Sequence, residues 1–312
     1  MTVPVPMPCP NGISVVVPTR DRPDRLVDAL RHLVDCIEAG DEIIVVDQSS
    51  GEATAQAIRR AGLPVRYLRS GGVGVALARN EGIQISRHAW IATTDDDCRV
   101  AHDWLRQLRR VLAGDRRIGI VFGEVRAAEL DPERGFTPVY HIAEPRIATR
   151  LAERNRVQGL SACMGLTRTA WQALGGFDAM LGAGGPLRSG AESDLALRAL
   201  ANGFRVFETP AICVVHDGFR CWGEGERLLQ RYAFGTGAMF AKNLKLQGFP
   251  LVALIVDLAR RWASGGASPH TAGHGVPRAR WRRGGQFAAG FVRGLAWPID
   301  RRSGLFVVRN AA

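Results

Sequence analysis

The chain has no CxxC pair. Its six cysteines (Cys9, Cys36, Cys98, Cys163, Cys213 and Cys221) are scattered over 312 residues. That spacing suits neither a zinc site nor a dense disulfide framework, and it points to a reducing cytosol. The first residues, MTVPVPMPCPNG, lack the basic start and apolar stretch of a signal peptide. The longest apolar run toward the C-terminus, FPLVALIV, falls far short of the ~20 residues a membrane span needs. Internal repeats are also missing. A positive excess is missing from most of the chain: the formal net charge is +11, yet ten arginines against two aspartates put +8 on residues 249–312 and leave +3 on the first 248. A nucleic-acid-binding body would spread its excess charge along one face, so no nucleic-acid partner is expected. A basic tail on a near-neutral body suggests a docking appendage.

What remains is an ordinary globular composition, 46% hydrophobic and 23% charged in 33.9 kDa, enough for one large domain with an appendage. The first hundred residues alternate. Short β-branched runs at 13–20, 41–47, 65–70 and 90–95 alternate with helical patterns at 23–35, 52–62 and 74–86. This predicts βαβ units and an α/β fold with a mostly parallel sheet flanked by helices. Further on, 118–126 reads as a strand, 127–158 as a long loop, 160–178 as strand, helix and turn, 191–203 as an amphipathic helix and 204–217 as two short strands. Residues 264–277 read as a flexible linker. In the final segment Phe287, Phe291 and Leu295 follow helical spacing among arginines, with Trp281 and Trp297 at its flanks. That face suits an anionic membrane surface; a helix hairpin packed on the body, or a dimer contact, would use the same pattern.

Ligands in open parallel sheets bind beyond the carboxyl ends of the strands. Those ends are polar here: Pro18-Thr19-Arg20 after the first, Asp47-Gln48 after the second, and Asp95-Asp96-Asp97 after the fourth. Three adjacent carboxylates repel one another unless a cation shares them. Hard oxygen ligands favour Mn2+ or Mg2+, often bridged to substrate phosphates. The competing reading of such a triplet is a solvated acidic turn.

The ordered set SVVVPTRDRPDRLVDAL, EIIVVDQSS, GVALARNEGI and IATTDDDC resembles the family 2 glycosyltransferases of the GT-A fold, over about residues 12–240. The resemblance implies a nucleotide-binding sheet and a D-x-D motif that holds a divalent metal against a donor's diphosphate. It assigns Asp95 and Asp97 to the metal, with His216 of VVHD as a further ligand or a structural histidine. Pro18, Thr19, Arg20, Asp47, Arg79, Asn80, Asp95 and Asp96 are assigned to the nucleotide sugar. Within SGAESDLALRA it places the catalytic base at Glu192, with Asp194 as the second candidate. The family's usual Glu-Asp pair is Ala191-Glu192 here. Trp222, in CWGEGE, either covers the acceptor site or sits in a plain surface loop.

The expected organisation is therefore an N-terminal tail (1–11), a GT-A domain (12–245) and a basic helical tail (246–312). The expected activity is inverting transfer of a sugar from a nucleoside-diphosphate donor, UDP first, to a lipid-linked or cell-envelope glycan acceptor, in the cytoplasm at the inner face of the membrane. A nucleotidyltransferase would carry a Gly-rich loop after the first strand, and PTRDRPDR has no glycine. A non-catalytic nucleotide-sugar binder would show no turnover for Glu192→Gln to abolish.

Overall fold

The computed structural model describes residues 12–129, 131, 133–263 and 280–308. The tail read at 1–11 and the linker read at 264–277 lie outside them. The predicted alternation is present: β1 (Ile13–Thr19), α1 (Pro23–Val34), β2 (Glu42–Asp47), α2 (Ala53–Ala61), β3 (Val65–Arg69), α3 (Val75–Ile85) and β4 (Trp90–Thr93). β1 pairs in parallel with β2 and β4, and β2 with β3. Helices cover both faces, which is why these strands read as unbroken apolar runs. Ile13, Val15 and Val17 pack with Leu26 and Leu30 of α1, while Val16 faces Ala76, Ala78 and Ile83 of α3.

The second half continues with β5 (Cys98–Val100), α4 (Trp104–Gly114), β6 (Ile118–Ala127), β7 (Gly135–Phe136), β8 (Arg146–Ala148), β9 (Met164–Thr167), α5 (Arg168–Ala173), α6 (Ala191–Ala201) and β10 (Arg205–His216). The sheet order is β3-β2-β1-β4-β9-β6-β10-β5, with β8 on β10. β9 enters antiparallel between β4 and β6. Residues 204–217, expected as two strands, form one: β10 keeps pairing with β6 and absorbs Pro210 by a register shift between Thr209 and Cys213.

The chain ends with β11 (Arg220–Cys221), α7 (Trp222–Gln247), α8 (Pro250–Ala263), α9 (Arg280–Ala296), β12 (Ile299–Asp300) and β13 (Leu305–Phe306). CWGEGE is not a loop but the start of α7, and Trp222 rests 5.7 Å from the Phe136 ring. The region expected as an appendage shares the body's core: Leu251, Leu254 and Phe306 are buried in the same apolar cluster as Val16 and Leu195. α9 meets α7 backbone to backbone. A Cβ on Gly237 would overlap the Phe287 carbonyl oxygen, and one on Gly290 that of Phe234. Only glycine permits such an approach. Phe287 and Phe291 therefore turn inward, with Phe287 6.3 Å from Phe240. Among the described residues of this region, the large apolar side chains left outside are Val292, Leu295, Val307, Val308 and a stripe of Phe249, Val252 and Val256. No helix among the described residues is long and apolar enough to cross a membrane.

Candidate active site

The carboxyl ends of β1, β2 and β4 border a cleft of about 990 Å³. Pro18, Thr19, Arg20, Gln48, Arg79, Asp95, Asp96, Asp97, Glu192 and His216 all line it. Each of the three adjacent aspartates has donors of its own, and Asp96 and Asp97 also share Arg22. Arg79 Nη2 donates to Asp95 Oδ1 at 2.5 Å. Asp96 accepts from Thr19 Oγ1 at 2.7 Å and Arg22 Nη1 at 3.2 Å. Asp97 accepts from Arg22 Nη1 at 3.1 Å and lies 3.3 Å from His216 Nε2.

These surroundings split the acids. Burial, less a contribution from Thr19, pushes the Asp96 carboxyl up to about 6. Burial also works to raise Asp97, but His216 and Arg22 outweigh it and hold that carboxyl below its usual range. His216 responds in the opposite sense: burial would lower it, and Asp97 raises it. His216 Nδ1 donates to the Pro138 carbonyl at 2.9 Å, which fixes the ring and turns Nε2 toward Asp97. A backbone partner on the other nitrogen is the usual support of a metal-ligating histidine. Asp97, Cys98 and His216 place ligand atoms within 4.8 Å of one another. Burial holds the Cys98 thiol well above its ordinary pKa, so the carboxylates and imidazole are the donors that suit a hard cation. The site's residues thus fit a divalent metal.

Glu192 and Asp194 are two positions apart on α6 and face different surroundings. Glu192 borders the cleft in the first turn. Among the described residues no side chain is hydrogen-bonded or ion-paired to its carboxylate, and burial, opposed in part by Arg79 and Arg154, raises its pKa. Asp194 is absent from the cleft lining and fully buried. Arg198 Nε, Lys242 Nζ and Asn243 Nδ2 each donate to it at 2.8 Å. Lys242 also donates to Asp178 at 2.7 Å, and Asp178 accepts the Phe306 backbone N–H at 2.9 Å.

Two further expected contacts are spent elsewhere. Asp47 is fully buried and holds the Ser49 backbone N–H at 2.8 Å and the Tyr67 hydroxyl at 2.7 Å. Its neighbour Gln48 reaches the cleft instead, bonded to the backbone of Gly74. Asn80 clamps the GGFD turn, donating to Phe177 O at 2.8 Å and accepting from Phe177 N at 2.9 Å. Trp222 does not line the cleft. Sequence reading missed Arg22, the Gly182–Gly185 loop, Arg188, Arg220, Arg231 and Tyr232, which complete the wall. The loop's signal was its glycine density: Gly184, at φ 81°, packs against Gly74, and a Cβ on Gly184 would lie 3.0 Å from the Gly74 Cα.

A mostly parallel sheet of this order, flanked by helices and with an acid cluster at its strand ends, is of the GT-A type. Residues 14–169 match the family model "Glycosyl transferase family 2", and the chain belongs to that family of glycosyltransferases. Among solved structures it is similar to a mannosyltransferase, PcManGT, from Pyrobaculum calidifontis, in complex with GDP-Man and Mn2+. The TM-score is 0.60 at 19% identity, covering 91% of this chain and 87% of that one. It is also similar to S. aureus TarS, residues 1–349, at TM-score 0.53 and 14% identity, covering 72% of this chain and 65% of that one. Against the longer TarS structure the TM-score is 0.55 at 13% identity, with 81% of this chain and 44% of that one covered. These likenesses are of fold. A search of curated proteins gave no significant match.

Proposed function

We propose that the enzyme is an inverting, metal-dependent glycosyltransferase that moves a sugar from a nucleoside-diphosphate donor, UDP first, to a hydroxyl of a lipid-linked or cell-envelope glycan. One observation carries this reading: Glu192, desolvated and without a cationic side chain bonded to it, shares a cleft with Asp95, Asp96 and Asp97. An inverting transfer needs one base to take the acceptor hydroxyl's proton as its oxygen bonds to the anomeric carbon and the diphosphate departs from the opposite face. A raised pKa makes Glu192 a better proton acceptor than an ordinary carboxylate. Asp194, saturated by three donors, is assigned a structural role. Pro18, Thr19, Arg20 and Gln48 border the nucleoside end. Arg79 has a buried Nε with no hydrogen-bond partner and can offer it, beside Asp95 and Asp96, to ribose or phosphate. Asp95, Asp97 and His216 would hold Mn2+ or Mg2+, which when bound neutralises charge on the departing diphosphate. The GDP-Man and Mn2+ of the mannosyltransferase structure support a nucleotide-sugar donor with a divalent cation, and make guanine the rival base.

A thermal-shift screen of nucleoside diphosphates with and without Mn2+ tests the donor class. A metal-dependent shift with one base is expected, and no shift with any would overturn the reading. Asp97→Asn should weaken Mn2+ binding on the order of 10–100-fold, read by titrating that shift. The location at the inner membrane face rests on the exposed Phe249, Val252 and Val256 stripe running toward Arg260 and Arg261, an apolar face beside cations that suits anionic lipid. Replacing both valines by aspartate should abolish co-sedimentation with anionic vesicles.

A further inference from the structure

A second pocket of about 550 Å³ opens off the cleft. It is lined by Arg22, Arg25, Arg220, Arg227 and Arg231, with Glu224 and Leu228. Arg22, Arg220, Leu228 and Arg231 also line the cleft, so the two spaces adjoin. Five arginines and one glutamate supply its charged lining. They arrive from two places far apart in the chain, α1 with its N-cap and the β11–α7 segment. Arg22 and Arg25 point back toward Asp97, at 3.1 and 3.9 Å, and Arg25 Nη1 is fixed by the Asp217 carbonyl at 2.8 Å. Among the described residues, Arg220, Arg227 and Arg231 form no ion pair.

Arg22 and Arg25 are held by Asp96, Asp97 and the Asp217 carbonyl, but no ion pair among the described residues calls for Arg220, Arg227 and Arg231 to gather beside them. Arg22, Arg25, Arg227 and Arg231 are exposed, and like charges gathered in one pocket repel, a cost that an anion removes. The planar fork of arginine matches phosphate oxygens in pairs. The donor's own diphosphate does not account for the pocket: its counterpart is the Asp95–Asp97 side, and Arg25, Glu224 and Arg227 lie outside the cleft lining. Resting on the glycosyltransferase reading above, we infer that the pocket is an acceptor subsite for a phosphate group, so that the acceptor is a phosphate-bearing glycan or glycolipid.

The test uses the full chain saturated with Mg2+ and the nucleoside diphosphate chosen by the thermal screen, which fills the donor side. Inorganic phosphate and geranyl phosphate, a short lipid phosphate, are then titrated. Both are expected to bind. Arg227→Glu should weaken that binding at least tenfold, and Arg227→Lys less than threefold, with nucleoside-diphosphate affinity unchanged within twofold in both. Tighter binding of geranyl phosphate supports a lipid-linked phosphate, and equal binding a phosphorylated glycan. Absence of phosphate binding, insensitivity to Arg227→Glu, or a parallel loss of nucleoside-diphosphate affinity would overturn the subsite. If no nucleoside diphosphate binds but phosphate still binds in an Arg227-dependent way, the donor reading fails and the anion pocket stands.

Discussion

Glu192 and Asp194 sit on the same helical turn, carry the same chemical group, and have opposite circumstances. Glu192 meets the cleft without a bonded cation and its pKa is raised, chiefly by burial. Asp194 is buried more deeply, yet Lys242, Arg198 and Asn243 overcome the desolvation and hold its pKa down. The difference teaches that burial alone does not mark a reactive carboxylate. What separates a base from a structural anion is whether the desolvated group has been given donors.

The comparison can be broken by exchanging the consequences of removal. Glu192→Gln should cost ~10²–10⁴-fold in turnover while leaving donor affinity within twofold, measured by single-turnover assay and titration. Loss of donor binding instead would return the base assignment to open ground. Lys242→Met strips a cation from Asp178 and Asp194 together and should destabilise the fold by about 3–5 kcal/mol, read from denaturant midpoints. A destabilisation under about 1 kcal/mol would show that the buried charges are not coupled. The pH dependences should also diverge. Because Asp194 is depressed in the folded state, its contribution is full above the ordinary carboxylate pKa of about 3.9 and is lost as pH falls toward its folded value. Acid unfolding of Asp194→Asn should therefore be shallower than that of the parent. As the proposed base Glu192 has to be ionised, and its pKa is raised, so activity should climb with pH through a limb above the ordinary glutamate value of about 4.3. A limb at or below that value would mean another group accepts the proton.

Much of this was legible in the chain because its signals are local. The period of apolar residues marked the βαβ units, and the polar strand ends marked the rim where Thr19, Asp95, Asp96, Asp97 and Glu192 meet. Asp47 and Asn80 follow the family pattern, but their hydrogen-bonding capacity is consumed within the fold by Ser49, Tyr67 and Phe177, partners that spacing does not reveal. Arg22, Arg220 and Arg231 were invisible for a related reason: they become neighbours only when α1 and α7 converge. Residues 204–217 read as two strands, whereas a register shift between Thr209 and Cys213 carries β10 past Pro210 as one. CWGEGE read as a loop from its glycines, although tertiary packing of Trp222 on Phe136 carries the helix through them. The stripe of Phe287 and Phe291 suggested a lipid face; the glycines at 237 and 290, which mark a close helix contact, pointed to α7.

The backbone N–H of Phe306 that reaches Asp178 spans 128 positions of sequence. During synthesis the turn bearing Asp178, the helix bearing Asp194 and the lysine between them are all made before this donor exists. The central charge cluster is therefore complete only once residue 306 has been made and has docked, a contact of high sequence separation. Folding of this enzyme is in that sense fastened from its far end, and a nascent chain released before residue 306 should be more sensitive to protease than one released after it.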